Sequence, residues 1–336
     1  MNPSPEMTKN GMSYDAYARQ TYRSLEICAG TGGQALGLEM AGFRHTLLVE
    51  YEKEYCECIR ANRPSWDVLC ADVRSFSGKP YRGQIDLLSG GVPCPPFSVA
   101  GKQLGHEDER DLFPEMLRLA EEIAPKVVMI ENVRGLLDQK FMAYRESILR
   151  NLNSLGYNTH IKLINACDFG VSQLRPRVII IGVRTDLNDS FTFPEKHPCP
   201  PPTVGELLYD LMKENGWALA ERWSEEASKI APTLVGGSKK HGGPDLGPTR
   251  AKREWAAMNI DGKGVADLPP AKDFIGMPRL TVRMLARIQG FPDSWSFGDK
   301  KTKACRMIGN AFPPPVAKEI GLKIKQLLDY NASLNS

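Results

Sequence analysis

The sequence predicts an α/β fold in which a doubly wound, mostly parallel sheet is joined to a second, smaller and more irregular domain. Short apolar runs alternate with amphipathic stretches between residues 24 and 184, as in successive βαβ units. A glycine-rich turn follows the first apolar run, which also favours this sheet. The second domain is predicted because the segment 186–278 is rich in proline and glycine and lacks a clean hydrophobic period.

The elements of the first domain are predicted from their hydrophobic patterns. Five apolar runs are predicted strands: 24–29, 46–50, 85–89, 127–131 and 178–183. Four stretches with helical spacing are predicted helices: 34–41, 53–61, 112–123 and 144–155. Helical spacing returns at 281–289 and 316–328, and we expect the last helix to pack back on the first domain. We therefore expect a tail at 1–22, a first domain made of 23–185 and 300–336, and a second domain at 186–299.

Composition places the chain among ordinary globular proteins. Of its 336 residues, 42% are hydrophobic and 25% are charged, which excludes disordered and fibrous architectures. The longest apolar runs are far too short to span a bilayer, so no membrane association is predicted. The first twenty residues are polar and lack the apolar core of a secretion signal, so we expect a cytoplasmic protein.

The eight cysteines give no sign of a metal site or a disulfide scaffold. They include no Cys-x-x-Cys pair and none of the cysteine and histidine spacings of a zinc site. A disulfide scaffold needs dense cysteine in a short secreted chain, and this chain is long. We therefore expect reduced cysteines and no metal.

Charge is distributed unevenly along the chain. The formal net charge is only +3, but residues 236–303 contain 13 Lys and Arg against 7 Asp and Glu, a local excess of +6. Such an excess is often a solvated surface. In a loop-rich domain beside a doubly wound sheet it equally favours nucleic-acid binding, and charge alone leaves both interpretations open.

The turn after the first predicted strand has the pattern of a nucleotide-binding turn. Gly30, Gly32 and Ala35 fit Gly-x-Gly-x-x-Gly/Ala, in which small residues let backbone N–H groups approach a ligand closely. Glu50 ends the next strand, where a carboxylate can accept hydrogen bonds from both ribose hydroxyls. Asp72 follows a third apolar stretch and suits an adenine amino group. Together they predict an adenosine-containing cofactor, with NAD and S-adenosylmethionine both open.

Two further segments carry groups suited to chemistry. Cys94 lies in a Gly/Pro loop directly after a predicted strand. Most lone cysteines are small buried hydrophobes, but Pro93 and Pro95 on either side favour a fixed and presented thiol. Glu131 follows a buried strand, where a partly desolvated carboxyl group suits a proton donor. The alternative is that Asn132 caps a helix and Glu131 is simply solvated.

A pair of arginines follows farther along the chain. Arg175 and Arg177 stand at alternate positions of an extended segment and so lie on one face of it. The pair could equally be an ordinary feature of the surface.

Six motifs in one order resemble the DNA (cytosine-5) methyltransferase family of the bacterial restriction-modification type. They are EICAGTGG at 26–33, GGVPC at 90–94, ENV at 131–133, QLRPR at 173–177, RLTVR with QGFP at 279–292, and GNAFPP at 309–314. The resemblance covers residues 24–184 and 279–325. It implies a Rossmann-like, S-adenosylmethionine-dependent methyltransferase domain, with residues 186–299 as a smaller, irregular target-recognition domain.

The resemblance also implies a reaction. A cytosine flipped out of duplex DNA would be methylated at carbon 5 by S-adenosylmethionine, leaving S-adenosylhomocysteine. Cys94 would attack carbon 6 of the ring, Glu131 would hold ring nitrogen 3 through a proton, and Arg177 would hold the carbonyl oxygen. Arg175 and Gln173 would support this pocket. Asn132 is expected to hold the cysteine loop.

Further positions follow from the same resemblance. The implied cofactor-binding residues are Cys28, Gly30, Thr31, Gly32, Glu50, Tyr51, Asp72, Val73, Leu112 and Asn310. The implied DNA-binding residues are Ser98, Lys102, Gln103, Gln173, Lys239, Lys240, Arg250 and Arg253. The loop 98–110 matches one that closes over DNA in this family. Duplex DNA is the implied partner of a cytoplasmic, nucleoid-associated monomer, which could work beside a cognate restriction endonuclease.

Three positions depart from the usual pattern of the family. Cys28 replaces an aromatic ring that would lie against adenine, Val92 replaces a proline, and Pro95 replaces a glutamine that would point toward DNA. These departures affect contacts to adenine and to DNA. They remove no group that the reaction needs.

Three other functions would account for parts of the sequence. A nicotinamide oxidoreductase would explain the turn and Glu50, but it leaves the cysteine loop, Glu131 and the arginines without a joint role. A cytosine-5 methyltransferase acting on tRNA would use the same chemistry, although the basic, glycine-rich middle region favours duplex DNA. A catalytically silent DNA-binding relative would have no use for Cys94, Glu131 and Arg177 together.

Overall fold

The computed structural model describes residues 21–93, 111–236 and 244–334 of the chain. Within these stretches the chain forms one seven-stranded sheet in the order β3-β2-β1-β4-β5-β7-β6. The strands are β1 Tyr22–Ile27, β2 Phe43–Glu50, β3 Val68–Cys70, β4 Leu87–Gly90, β5 Val127–Val133, β6 Tyr157–Asn165 and β7 Pro176–Arg184. Strands β1 to β5 are parallel, whereas β7 runs antiparallel to both β5 and β6. The predicted α/β class with a mostly parallel, doubly wound sheet is confirmed.

The helices of the described stretches cover both faces of the sheet and build the second domain. They are α1 Gly33–Met40, α2 Lys53–Asn62, α3 Phe113–Ile123, α4 Met142–Ser154, α5 Val204–Lys213, α6 Ala220–Glu226, α7 Thr249–Ala256, α8 Val282–Ile288, α9 Lys301–Asn310 and α10 Pro314–Leu334. All six predicted helices are present, with ends that shift by a few residues. The sequence patterns missed β6, because an edge strand that pairs only with β7 carries little apolar alternation.

The two faces of the sheet have separate apolar cores, since successive strand residues point to opposite sides. On one side Leu88 and Val128 pack with residues of α3 and α4. On the other side Leu87 and Val127 pack with residues of α10 such as Ile320. The expectation that the last helix packs back on the first domain is confirmed.

A third core joins the two halves of the chain. Buried residues of α1 and α2, including Leu36 and Ile59, belong to the same apolar cluster as Trp223 and Trp255 of the second domain. Helix α9, which the sequence assigns to the first domain, contributes Met307 to this cluster as well. The predicted division near residue 299 therefore runs through a shared core. Tyr22, placed in the tail by the sequence, is the buried first residue of β1.

None of the helices in the described stretches is long and apolar enough to cross a bilayer. The same stretches contain no group of three or more His, Cys, Asp or Glu side chains that could hold a metal ion.

Candidate active site

The turn between β1 and α1 forms one end of the site. Cys28, Gly30 and Gly32 all have a left-handed backbone, with φ of 51°, 56° and 82°. A Cβ atom at Gly30 would have no atom of the described residues within 4 Å, so this backbone is open on that side. At Gly33 a Cβ atom would lie 2.4 Å from the carbonyl oxygen of Phe312, so only glycine lets the turn pack on the chain after α9. The turn is thus closed on one side and open on the other.

The carboxylate of Glu50 holds this turn from the end of β2. One oxygen accepts the Gly30 N–H at 2.7 Å and the other accepts the Glu52 N–H at 2.8 Å. Burial raises the pKa of Glu50, while the backbone N–H donors oppose that shift. A carboxylate has about four lone-pair directions, so these two bonds leave acceptor capacity for ribose hydroxyls.

Other implied cofactor residues surround the same opening. Tyr51 follows Glu50 and is 67% exposed, while Val73 is buried. Asp72 accepts the backbone N–H of Arg74 and forms an ion pair with its guanidinium at 3.1 Å. The hydroxyl of Thr31 is buried and finds no hydrogen-bond partner in the part of the chain that the structure describes. An open backbone cradle, an unpartnered hydroxyl and two carboxylates fit an adenosine-containing cofactor.

Beneath the turn lies a carboxyl group that the sequence patterns did not single out. Glu26 is the next-to-last residue of β1 and is 1% exposed, and its Oε2 atom has no hydrogen-bond partner among the described residues. Burial raises the pKa of Glu26 to about 8, the neighbouring Gln34 side chain opposes this shift, and the charge of Glu50 adds to it. Burial also raises the pKa of the Cys28 thiol, so that thiol is neutral at pH 7. The sequence signal that could have identified Glu26 is an acidic residue within a predicted apolar strand.

The remaining implied cofactor residues come from α3 and α9. Leu112 precedes α3, and its N–H donates to the carbonyl of Pro93 at 3.4 Å. Asn310 is the last residue of α9, and its side chain lies within hydrogen-bonding reach of Tyr55 of α2. Sequence reasoning did not select Tyr55. The available signal was its place in the first turn of the helix that follows Glu50.

Glu131 and Arg177 form an ion pair at the other end of the site. Arg177 Nε lies 2.7 Å from Glu131 Oε1, and the two side chains are only 14% and 13% exposed. The antiparallel pairing of β5 with β7 places Val133 opposite Arg177, which brings these side chains together. Glu131 is therefore a mostly buried, paired carboxylate, and the alternative of a simply solvated Glu131 is wrong.

The segment that leads to Cys94 begins beside this ion pair. A Cβ atom at Gly91 would lie 3.1 Å from Glu131 Oε2. Asn132 donates from Nδ2 to the carbonyl oxygen of Val92 at 2.8 Å, which holds the start of the cysteine loop as expected. Cys94 itself lies outside the described residues.

Arg175 and Gln173 lie in the interior. They are 1% and 0% exposed. The Arg175 guanidinium donates to the carbonyl oxygens of Leu234, Gly309 and Ala311 at 2.7 to 3.0 Å. A surface arginine pair is therefore the wrong interpretation of Arg175. It is also not placed to touch a substrate.

Both polar groups of the Gln173 side chain bind within the same interior network. Its Oε1 accepts the Leu234 N–H at 2.9 Å and its Nε2 donates to Gln289 at 2.6 Å. The expectation of a DNA contact at Gln173 needs correction, because the side chain has no exposed surface to offer.

The implied DNA-binding residues divide into two groups. Arg250 and Arg253 are exposed on α7, and Arg250 forms an ion pair with Glu254 at 3.2 Å. The second group lies in residues 94–110 and 237–243, outside the described residues: Ser98, Lys102, Gln103, Lys239 and Lys240. The same holds for the rest of the loop 98–110.

The sheet order, the glycine turn and the Glu50 carboxylate define a Rossmann-like methyltransferase fold. A family model described as C-5 cytosine-specific DNA methylase matches residues 22–326. The chain belongs to this family, which confirms the resemblance carried by the six motifs.

Related proteins agree with this assignment. The chain is 55% identical over 310 residues to the Type II methyltransferase M.NgoMIV of Neisseria gonorrhoeae, covering 91% of this chain and 98% of the relative. It is 50% identical over 316 residues to the Type II methyltransferase M.NaeI of Lentzea aerocolonigenes, covering 92% and 76%. The crystal structure of a Spodoptera frugiperda DNMT2 mutant shares the fold, with a TM-score of 0.65, 16% identity and coverage of 91% and 99%.

Proposed function

We propose that this protein transfers a methyl group from S-adenosylmethionine to carbon 5 of a cytosine that is flipped out of a specific duplex DNA sequence. The observation that carries the proposal is the Glu131–Arg177 ion pair beside the start of the cysteine loop. It supplies a carboxyl group and a guanidinium at one edge of the sheet, where α/β folds bind their ligands.

The residues of this edge have separate roles in the reaction. The Cys94 thiolate attacks carbon 6 of cytosine, which makes carbon 5 nucleophilic. Glu131 holds a proton at ring nitrogen 3, and Arg177 donates to the carbonyl oxygen, so both stabilise the charge that develops on the ring. S-adenosylmethionine, when bound, supplies the methyl group. Loss of the carbon 5 proton to solvent and departure of the Cys94 thiolate then regenerate the protein.

The cofactor assignment is supported by the open turn and its carboxylate. Glu50 suits the ribose hydroxyls, Asp72 suits the adenine amino group, and the backbone at Gly30 is open to a ligand. The family supports S-adenosylmethionine over a nicotinamide. Cys28, with its small side chain, leaves adenine stacking to other residues.

Duplex DNA is the proposed substrate and partner. The local excess of +6 in residues 236–303 suits phosphate binding that weakens steeply with salt. The exposed Arg250 and Arg253 belong to this region. We propose a cytoplasmic monomer, and the Type II relatives support a cognate restriction endonuclease as a further partner.

Tritiated methyl transfer tests the proposal. With labelled S-adenosylmethionine, the wild-type protein should label unmethylated duplex DNA and leave tRNA unlabelled. DNA that contains 5-fluorocytosine should trap the wild-type protein covalently, because fluorine cannot leave carbon 5 as a proton does. Cys94→Ser should lose both labelling and trapping, whereas Cys199→Ser, at an exposed cysteine, should keep both.

Three results would contradict the reaction, the nucleophile or the substrate of this assignment. Labelling of neither nucleic acid under conditions where cofactor binds would exclude the proposed reaction. A trapped complex that persists in Cys94→Ser would exclude the assigned nucleophile. Labelling of tRNA instead of DNA would show the same chemistry with the other substrate. Bisulfite sequencing of DNA from an expressing host would identify the methylated cytosine and its context.

A further inference from the structure

The chain segment that enters the basic, glycine-rich part of the second domain is anchored to the first domain. We call residues 231–236 the recognition stem, since they lead directly into the basic segment 237–243. Ala231 donates its N–H to the Ser172 carbonyl at 2.8 Å and accepts the Leu174 N–H at 2.8 Å. The Thr233 hydroxyl donates to the Leu174 carbonyl. The stem is thus a short parallel partner of the segment just before β7.

The stem also packs directly against the end of α9. Gly309 would place a Cβ atom 2.4 Å from the Gly236 nitrogen, so both chains approach at glycine. A Cβ atom at Gly236 would lie 2.1 Å from Asn310 Oδ1 and 2.8 Å from the Arg306 carbonyl oxygen. Real Cβ atoms essentially never approach this closely. The Asn310 side chain therefore fills the space that any side chain at Gly236 would need.

Tyr55 of α2 is a second neighbour of the Asn310 side chain. It is half-buried against the shared core, and its hydroxyl lies within hydrogen-bonding reach of the Asn310 side chain. Burial raises the pKa of its phenol, and the charge of Glu50 acts on it in the same direction. The Asn310 side chain therefore has Tyr55 of α2 and the recognition stem as neighbours.

We propose, on the basis of the cofactor assignment above, that Tyr55 and Gly236 are positioning residues that orient the Asn310 amide for cofactor binding. Tyr55 supplies a hydrogen-bond partner, and Gly236 supplies the space in which the amide lies. Because Gly236 belongs to the recognition stem, the position of the stem sets the affinity for the cofactor.

Binding of S-adenosylhomocysteine to the full-length protein, measured by calorimetry, tests this proposal. Tyr55→Phe removes one neutral hydrogen bond and should weaken binding about fivefold. Gly236→Ala should weaken binding about tenfold or more, because the new methyl group displaces the Asn310 amide. Two matched controls should bind like the wild type. They are Tyr330→Phe, at a ring 44% exposed on α10, and Gly262→Ala, whose nearest neighbour is the flexible Lys252 side chain at 3.3 Å.

A double-mutant cycle separates positioning from loss of structure. In an Asn310→Ala background, Tyr55→Phe should cause no further loss of S-adenosylhomocysteine binding. Gly236→Ala should lose much less there than in the wild type, because only the Arg306 carbonyl oxygen still obstructs its Cβ atom. A general structural role predicts instead that each loss adds to that of Asn310→Ala. Thermal unfolding of Tyr55→Phe should follow the wild type, which the structural role would not predict.

The outcomes distinguish this proposal from the proposed function. If the wild type binds S-adenosylhomocysteine and both variants bind it equally well, the positioning role is wrong. Additive losses in the Asn310→Ala background would also overturn it. A wild-type protein that binds no S-adenosylhomocysteine would overturn the cofactor assignment itself.

Discussion

Glu26 is one side chain that makes the stability of the fold depend on pH. Its carboxyl group is buried under the turn, and burial raises its pKa to about 8 from an ordinary value near 4.5. Between these values the folded protein retains a proton that the unfolded chain releases, so the protein loses stability as pH rises from about 4.5 to about 8. Above pH 8 the full penalty of the buried charge is present.

Glu26→Gln should remove this pH dependence, since the amide does not titrate. Wild type should lose about 3 kcal/mol of unfolding free energy relative to the variant between pH 5 and pH 8, because each pKa unit corresponds to about 1.4 kcal/mol. Urea unfolding at both pH values measures it. Glu225→Gln, at an exposed glutamate of α6, should show no such difference. Parallel pH profiles for wild type and Glu26→Gln would show that Glu26 is ionised when folded.

At the scale of elements, the contact between α1 and α10 depends on glycine. A Cβ atom at Gly37 would lie 2.3 Å from the Pro314 carbonyl oxygen and 2.5 Å from the Ala317 Cβ atom. The first and last helices of the described fold therefore meet with backbones in close contact. This contact places the chain after α9 against the cofactor turn.

Gly37→Ala should force the two helices apart. Overpacking of this kind costs about 1–3 kcal/mol, and here we expect the upper end, because the obstructing atoms are backbone. Chemical denaturation measures the loss. Met40→Ala, at a 51% exposed residue of the same helix, should cost much less. Equal stability of Gly37→Ala and wild type would mean that the helices do not approach as described.

At the scale of the whole molecule, Arg175 ties the two halves of the chain together. Arg175 directly precedes β7, and its buried guanidinium donates to the recognition stem at Leu234 and to Gly309 and Ala311 around the end of α9. Burial lowers the pKa of Arg175, and the carbonyl oxygens around it offset part of that cost. The recognition stem, the start of β7 and the end of α9 thus share one anchor.

Arg175→Met should weaken this junction. The side chain keeps a similar length, but buried carbonyl oxygens lose their donors at about 1–3 kcal/mol each, so we expect a loss of about 3 kcal/mol in unfolding free energy. Thermal and urea unfolding measure it. Arg253→Met, at an exposed arginine of α7, is the control and should change stability little. A variant as stable as wild type would show that apolar packing alone holds the halves together.

Much of the site could be predicted because its motifs are local. The glycine turn, Glu50 at the next strand end and the Glu131 segment follow from residue types at short spacings. Local sequence patterns nevertheless missed helix α5, although Thr203 and Glu206 form a capping box at its start. Most of the second domain was missed because its helices are stabilised by a core shared with the first domain, and that core leaves no clean period in the sequence.

The sequence by itself determined the family, the order of the motifs and the class of the sheet, because these depend on neighbouring residues. Tertiary structure alone decided that β7 lies antiparallel beside β5, which brings Arg177 to Glu131. It also decided that Arg175 and Gln173 are interior. Their partners Leu234 and Gly309 stand 59 and 134 residues from Arg175, and only the folded chain brings groups so far apart in sequence within hydrogen-bonding distance.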